Sequence, residues 1–141
     1  MDEETVSKEK YYRLAADFEN FRKRMVSELA DAAKFAGEKV IHTMVDVADH
    51  LDSAIKHAPA SVKEPIDWWK GVEQIDKQFA ATLKKHGVRK IETVGKPFDP
   101  ATMEAVSMAS GGESQTVKEE VRAGYTMHER VIRPARVIVY E

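Results

Sequence analysis

The 141-residue chain has no cysteine, which excludes disulfide staples, thiolate metal sites and cysteine nucleophiles. Between residues 2 and 58 it has no proline and one glycine, Gly37, so nothing in that span stops a helix. No apolar run approaches the ~18 residues a membrane span requires, and the opening Met1-Asp2-Glu3-Glu4 is acidic where a signal peptide is basic. No membrane partner is expected, and the cytoplasm is the expected location. An excess of one charge is lacking too. With 22 Lys and Arg against 24 Asp and Glu, the net charge of −2 offers no basic field for general nucleic-acid binding.

What the first 58 residues do contain is an apolar period. Phe18, Leu29, Val40 and Leu51 are eleven apart, as are Met25, Ala36 and Val47; Phe21 and Ala32 begin a third row that ends at Thr43. The pattern reads as one helix over 2–58, a rod of roughly 80 Å at ~1.5 Å rise per residue. The rest of the chain would form a body only ~25–30 Å across, too small to cover that rod. Its stripe therefore requires a second chain, and a homodimer is expected. Eleven residues in three turns predicts paired helices that run nearly straight or slightly right-handed, whereas a heptad fails at Glu28 and Lys39. Ala32 and Ala36 allow close approach but bury little area. Gly37 adds a soft point, costing about 1 kcal/mol relative to alanine.

Pro59 ends this helix, and 60–65 reads as a loop. A second helix opens at Ile66, with apolar Trp69, Val72, Ile75, Phe79 and Leu83 on one face and Gly87 as a left-handed cap behind Lys84, Lys85 and His86. With Ile41, Met44, Val45, Ala48, Leu51 and Ile55 it makes an antiparallel hairpin, and two such hairpins make a four-helix bundle. The dimer interface is accordingly expected at Phe18, Phe21, Met25, Leu29, Val40, Leu51, Trp69, Val72, Ile75, Phe79 and Leu83. From Val88 the helical period stops. β-prone stretches follow at 88–94, 103–109, 116–123 and 130–140, with Gly124-Tyr125 and 127–129 near turns. In the last stretch Val131, Arg133, Ala135, Val137 and Val139 share a face, opposite Arg130, Ile132, Pro134, Arg136 and Ile138. Pro134 implies an edge or a bulge there. The fold class is therefore α+β: a long paired N-terminal helix as stalk (1–40), a hairpin forming half of a dimeric four-helix bundle (41–87) and a small C-terminal β-sheet module (88–141).

Little of the remaining chemistry converges. Asp46, Asp49 and His50 lie on adjacent helical turns but lack the dense donors of a metal site, so they read as a solvated helix face. His42, His57, His86 and His128 show no partner pattern. Neither a cofactor, a metal nor a catalytic group is expected. Trp69 reads as core and Trp68 as partly exposed. Arg22-Lys23-Arg24 invites comparison with a basic-zipper DNA reader, but the run is short and the zipper heptads are absent, so no nucleic-acid partner is expected. A dimeric coiled-coil scaffold is the other alternative.

The stretch from Gly124-Tyr125-Thr126-Met127 through Arg130-Val131-Ile132-Arg133-Pro134-Ala135 to Val139 closely resembles the C-terminal signature of the GrpE family, the nucleotide exchange factors of DnaK-type chaperones. Glu19-Asn20-Phe21-Arg22-Lys23-Arg24, Lys34-Phe35-Ala36, Leu51-Asp52, Gly71-Val72, Gly87-Val88, Phe98-Asp99-Pro100 and Glu104-Ala105-Val106 fall where that family's pattern has them, so the resemblance spans about 15–140. Two departures are Met103, where members commonly carry histidine, and Asp31, where some are basic. The resemblance implies a non-enzymatic dimer that binds the ATPase domain of a DnaK-type chaperone, holds its nucleotide cleft open and accelerates ADP release. By position in the family's motif, Arg130 would be the leading polar contact, Val121 and Val139 the apolar face and Arg22 the stalk contact. Arg133 and Pro134 complete the expected chaperone-binding set.

Overall fold

A computed structural model describes residues 7–64 and 66–141; the expected helix start at Asp2 and loop end at Pro65 lie outside the described residues. The chain divides into two compact units, one ending at Ala36 and the other running from Gly37 to Glu141.

The first unit is helix α1 (Lys8–Phe35), rich in good helix formers and opened by Ser7, whose hydroxyl accepts from the Lys10 N–H at 3.3 Å. None of its 28 residues is buried. Where the sequence points to one helix across 2–58, the structure has α1 and a separate α2 (Glu38–Lys56), with a turn at Ala36 and Gly37. Gly37 is the N-cap of α2, at φ −89° and with no side chain to bond the first turn. The interruption falls at the one residue of the span with the most backbone entropy to lose.

In the second unit, α2 buries Ile41, Val45 and Ala48, spaced by four and three along one face. A short 3-10 turn (Ala60–Val62) leads to α3 (Ile66–Lys85), which buries Leu83 and half-buries Trp69, Val72, Asp76 and Phe79. Gly87 closes α3 at φ +77°, its N–H donating to the Lys84 carbonyl at 3.1 Å. Any other residue there would be strained at that φ, and its Cβ would lie 2.5 Å from the His128 imidazole, which would have to shift.

Six strands follow: β1 (Val88–Lys90), β2 (Met103–Ala109), β3 (Val117–Arg122), β4 (Tyr125–Met127), β5 (Arg130–Arg133) and β6 (Ala135–Tyr140). They form two three-stranded sheets, β1-β4-β5 and β2-β6-β3. The first is antiparallel throughout; in the second, central β6 runs parallel to β2 and antiparallel to β3. The expected single strand over 130–140 is thus two strands in different sheets. Pro134, which has no N–H to continue a ladder, is the point where the chain changes sheet. Tyr125–Met127, expected near a turn, is a strand, and its hairpin with β5 turns through His128 and Glu129 at φ 47° and 69°. Both central residues of that turn have positive φ, as a type I′ hairpin turn requires. Met103, Val117, Ala135, Val137 and Val139 form the module's core, with Ile91 and Phe98 packed against it.

Candidate partner-binding surface

Asp46, Asp49 and Asp52 recur every three residues on α2, which sets them along one face, and cations from the strands answer each of them. Arg133 of β5 donates to Asp46 Oδ1 at 3.0 Å and to Asp49 Oδ1 at 2.8 Å, and returns two bonds to the Ala123 carbonyl at 2.8 and 3.1 Å. Its guanidinium carbon stands 5.3 Å from the centre of the Tyr125 ring. Arg122 of β3 grips the same two carboxylates, Asp46 at 2.9 Å and Asp49 at 3.2 Å. Lys90 of β1 reaches Asp52 at 3.0 Å and Glu120 at 3.3 Å. Exposed pairs of this kind contribute about 0–1 kcal/mol each, but water screens the Arg133 pairs less, since that side chain is only 11% exposed.

These charges shift one another. Burial pulls the Lys90 ammonium down, yet the hydrogen bond to Asp52 and the charge of Glu120 outweigh it and hold the group above its ordinary value. Burial pushes the Tyr125 hydroxyl up, with Lys90 opposing and Asp49 and Asp52 adding to the rise. Burial and then the Asp52 charge raise the Asp76 carboxyl, against the pull of Lys90. Every fully buried side-chain polar atom among the described residues has a hydrogen-bond partner. Among those residues no three His, Asp or Glu side chains are placed to hold a metal. The arrangement holds elements together; it has the chemistry of a strut.

The residues expected at a chaperone surface separate. Arg130, next to the His128-Glu129 turn, is half-exposed and donates to the Glu38 carboxylate at the start of α2. Val121 is 55% exposed, but Val139 is 1% exposed and lies in the module core. That corrects the expected pairing of these two valines as one apolar face: the inward side of β6 is the one carrying Ala135, Val137 and Val139, so only Val121 is available at the surface. Arg133, expected to face a partner, is taken up inside the chain, while Pro134 is exposed. Arg22 lies exposed on α1, bonded to Glu19 at 2.7 and 3.1 Å, and Arg24 pairs with Glu28 at 3.6 Å. Of the expected dimer contacts, Phe18, Phe21, Leu29, Val40 and Ile75 are exposed in the single chain. Met25, Leu51, Trp69, Val72 and Phe79 are half-buried, and Leu83 is buried within the chain itself.

The Asp46 and Asp49 carboxylates, read from sequence as a solvated face, are instead spoken for by two arginines. Their regular spacing was visible in the chain; their partners, 73 to 87 residues further on, were not. Glu38 was missed for the same reason, its partner lying 92 residues away.

The model of the GrpE family matches residues 2–141 of this chain. The chain belongs to the GrpE family. Protein GrpE of Methanosarcina barkeri is 38% identical over 141 residues, covering 98% of this chain and 67% of the relative. Protein GrpE of Parageobacillus thermoglucosidasius is 40% identical over 132 residues, covering 92% and 58%, and that of Beijerinckia indica is 39% identical over 141 residues, covering 92% and 68%. The chain thus spans between 58% and 68% of the length of these curated GrpE relatives. No helix among the described residues is long and apolar enough to cross a membrane.

Proposed function

We propose that this chain acts as a homodimeric nucleotide exchange factor, which binds the ATPase domain of a DnaK-type chaperone with its nucleotide cleft open and so accelerates ADP release. The observation that carries the reading is the extent of the family match, which takes in all three α-helices and all six strands of the described residues. A cytoplasmic location and a three-part division into stalk (1–40), helical hairpin (41–87) and β module (88–141) belong to the same proposal. Dimerisation is supported by α1, a 28-residue helix with no buried residue and with Phe18, Phe21 and Leu29 exposed.

The thermodynamics needs no catalytic group. A factor that prefers the open cleft and a nucleotide that prefers the closed one weaken each other's binding by the same ratio. Moving a two-state equilibrium from 1:99 to 99:1 takes ~5.5 kcal/mol of preference for the open form. A contact spread over the β module and the stalk supplies that better than a short peptide would. Arg130 and Val121 on the module and Arg22 on α1 are the side chains proposed to touch the chaperone.

The test is release of a labelled ADP from a DnaK-type chaperone, followed by stopped flow with the purified chain. Acceleration is expected, with Arg130→Ala raising the half-saturating concentration about tenfold or more, the loss expected of an interfacial arginine worth about 1.4 kcal/mol or more. No acceleration by the parent chain across several such chaperones overturns the reading.

A further inference from the structure

The two sheets of the β module send one arginine each to the same point on α2. Arg133 comes from the β1-β4-β5 sheet and Arg122 from the β2-β6-β3 sheet, and both bond Asp46 and Asp49. Arg133 also bonds the carbonyl of Ala123, which lies between β3 and β4, so three separate pieces of backbone meet at one guanidinium. Two positive and two negative groups balance there, and the planar fork of each arginine fixes direction as well as distance.

We infer that Asp46, Asp49, Arg122 and Arg133 are positioning residues, a clamp that fixes the angle at which the β module is held against α2 and thereby sets how far an exchange factor opens its chaperone. The inference rests on the exchange-factor reading. A rigid module fits one cleft geometry and rejects the other. A module free to swivel on α2 fits both, and a ligand with equal affinity for two states shifts nothing however tightly it binds. The clamp therefore acts on the maximal rate of exchange, whereas residues that touch the chaperone act on affinity.

The experiment compares the full chain with its Asp46→Asn/Asp49→Asn form in the labelled-ADP assay at saturating factor. The maximal acceleration is expected to fall about tenfold, within the 5–150-fold span typical of coupling between sites, while the half-saturating concentration moves less than about threefold. Asp46→Glu/Asp49→Glu, which keeps both charges, is expected to retain most of the acceleration. An unchanged maximal rate overturns the inference, and so does a raised half-saturating concentration with the maximal rate kept. Should the Asn form fail to fold, Arg122→Gln, at a half-exposed side chain, gives the same readings.

A second measurement needs no chaperone. Because the chain has no cysteine, Thr43→Cys on α2 and Ser107→Cys on β2 place one pair of spin labels in each chain, and mixing with excess unlabelled chain leaves the distance within one chain as the signal. The parent is expected to give one narrow distance distribution within the chain and the Asn form a broad one; equal widths overturn the clamp. A parent chain that does not speed ADP release sinks the exchange reading instead, and the label distances still decide whether the clamp is real.

Discussion

Helices α1 and α2 carry the same kind of apolar period, yet their side chains meet different fates. Along α1 nothing is buried, and its ion pairs stay on the helix: Arg22 with Glu19, Arg24 with Glu28, Lys34 with Asp31. Along α2, Ile41, Val45 and Ala48 are buried, and Asp46, Asp49, Asp52 and Lys56 all pair with strand residues. These i,i+3 and i,i+4 pairs on α1 each contribute a few tenths of a kcal/mol. The second helix is held from both its apolar and its polar side. In proteins most helical stability comes from packing an apolar face, and α1 buries none of its residues in the single chain, which is the support for the proposed dimer.

The widest separation between the two regions should come from a pair of leucines. Leu83→Ala removes a side chain 4% exposed in the single chain and should cost about 2–4 kcal/mol whatever the oligomeric state. Leu29, 71% exposed, has little burial in its own chain to lose. Its replacement by Ala should destabilise only where chains are associated, by an amount that grows with protein concentration. Urea unfolding over a hundredfold range of concentration, with sedimentation to fix the oligomeric state, separates the two. Equal losses in the monomer would erase the distinction between the helices.

How much of this was legible in the chain follows the same division. Local chemistry could be read directly: Gly87 behind two lysines closes α3, and Pro59 follows α2 by a few residues, because each signal lies within a few residues of its effect. The alternation of Ala135, Val137 and Val139 was also visible, but periodicity says only that they share a face. Which face is inside depends on β2 and β3 covering it, which alternation leaves open; the family resemblance put Val139 at the surface, and it lies in the core. Pro134 was read as an edge or bulge because a single proline does not announce that the chain will leave one sheet for another. The clamp was hardest of all. Charged residues more than 70 apart carry no local mark of each other, and a lone arginine on a strand is most often solvated.

Gly37→Ala probes the boundary between the two regions with a smaller effect. The glycine sits at φ −89° and ψ −1°, already in the right-handed basin, and a Cβ there meets nothing within 4 Å. Alanine should therefore stabilise the helical segments by about 0.5–1 kcal/mol, chiefly by restricting the unfolded chain. If α1 melts before the second unit, the gain appears as a rise of the first calorimetric transition. A fall in helix content would show instead that glycine is wanted as the N-cap of α2.

The smallest expected effect tests whether the charges of the second unit are coupled in the way those of α1 are not. Asp76 of α3 lines a cavity of about 420 Å³ together with Asp52 and Lys90. Its burial, and then the Asp52 charge, raise its carboxyl above the ordinary 3.8. The folded chain thus takes up this proton more readily than the unfolded chain. Asp76 adds stability below its unfolded value and loses that contribution as pH rises through its folded value, leaving a charge held at some cost near neutrality. Lys90 works at the other end: its raised value keeps its contribution up to the ordinary 10.5 and surrenders it above. Asp76→Asn should accordingly raise stability near pH 7 by up to about 0.5 kcal/mol, the scale of a substitution outside the core, and the gain should vanish as pH falls through the carboxylate range. Asp31→Asn on α1, whose carboxylate makes an exposed pair with Lys34 at 3.9 Å, is the reference. Urea midpoints for both variants from pH 3 to 8 make the measurement. A loss at pH 7 for Asp76→Asn would mean that attraction to Lys90 outweighs burial and Asp52, and the coupling in the second unit would then run through the lysine.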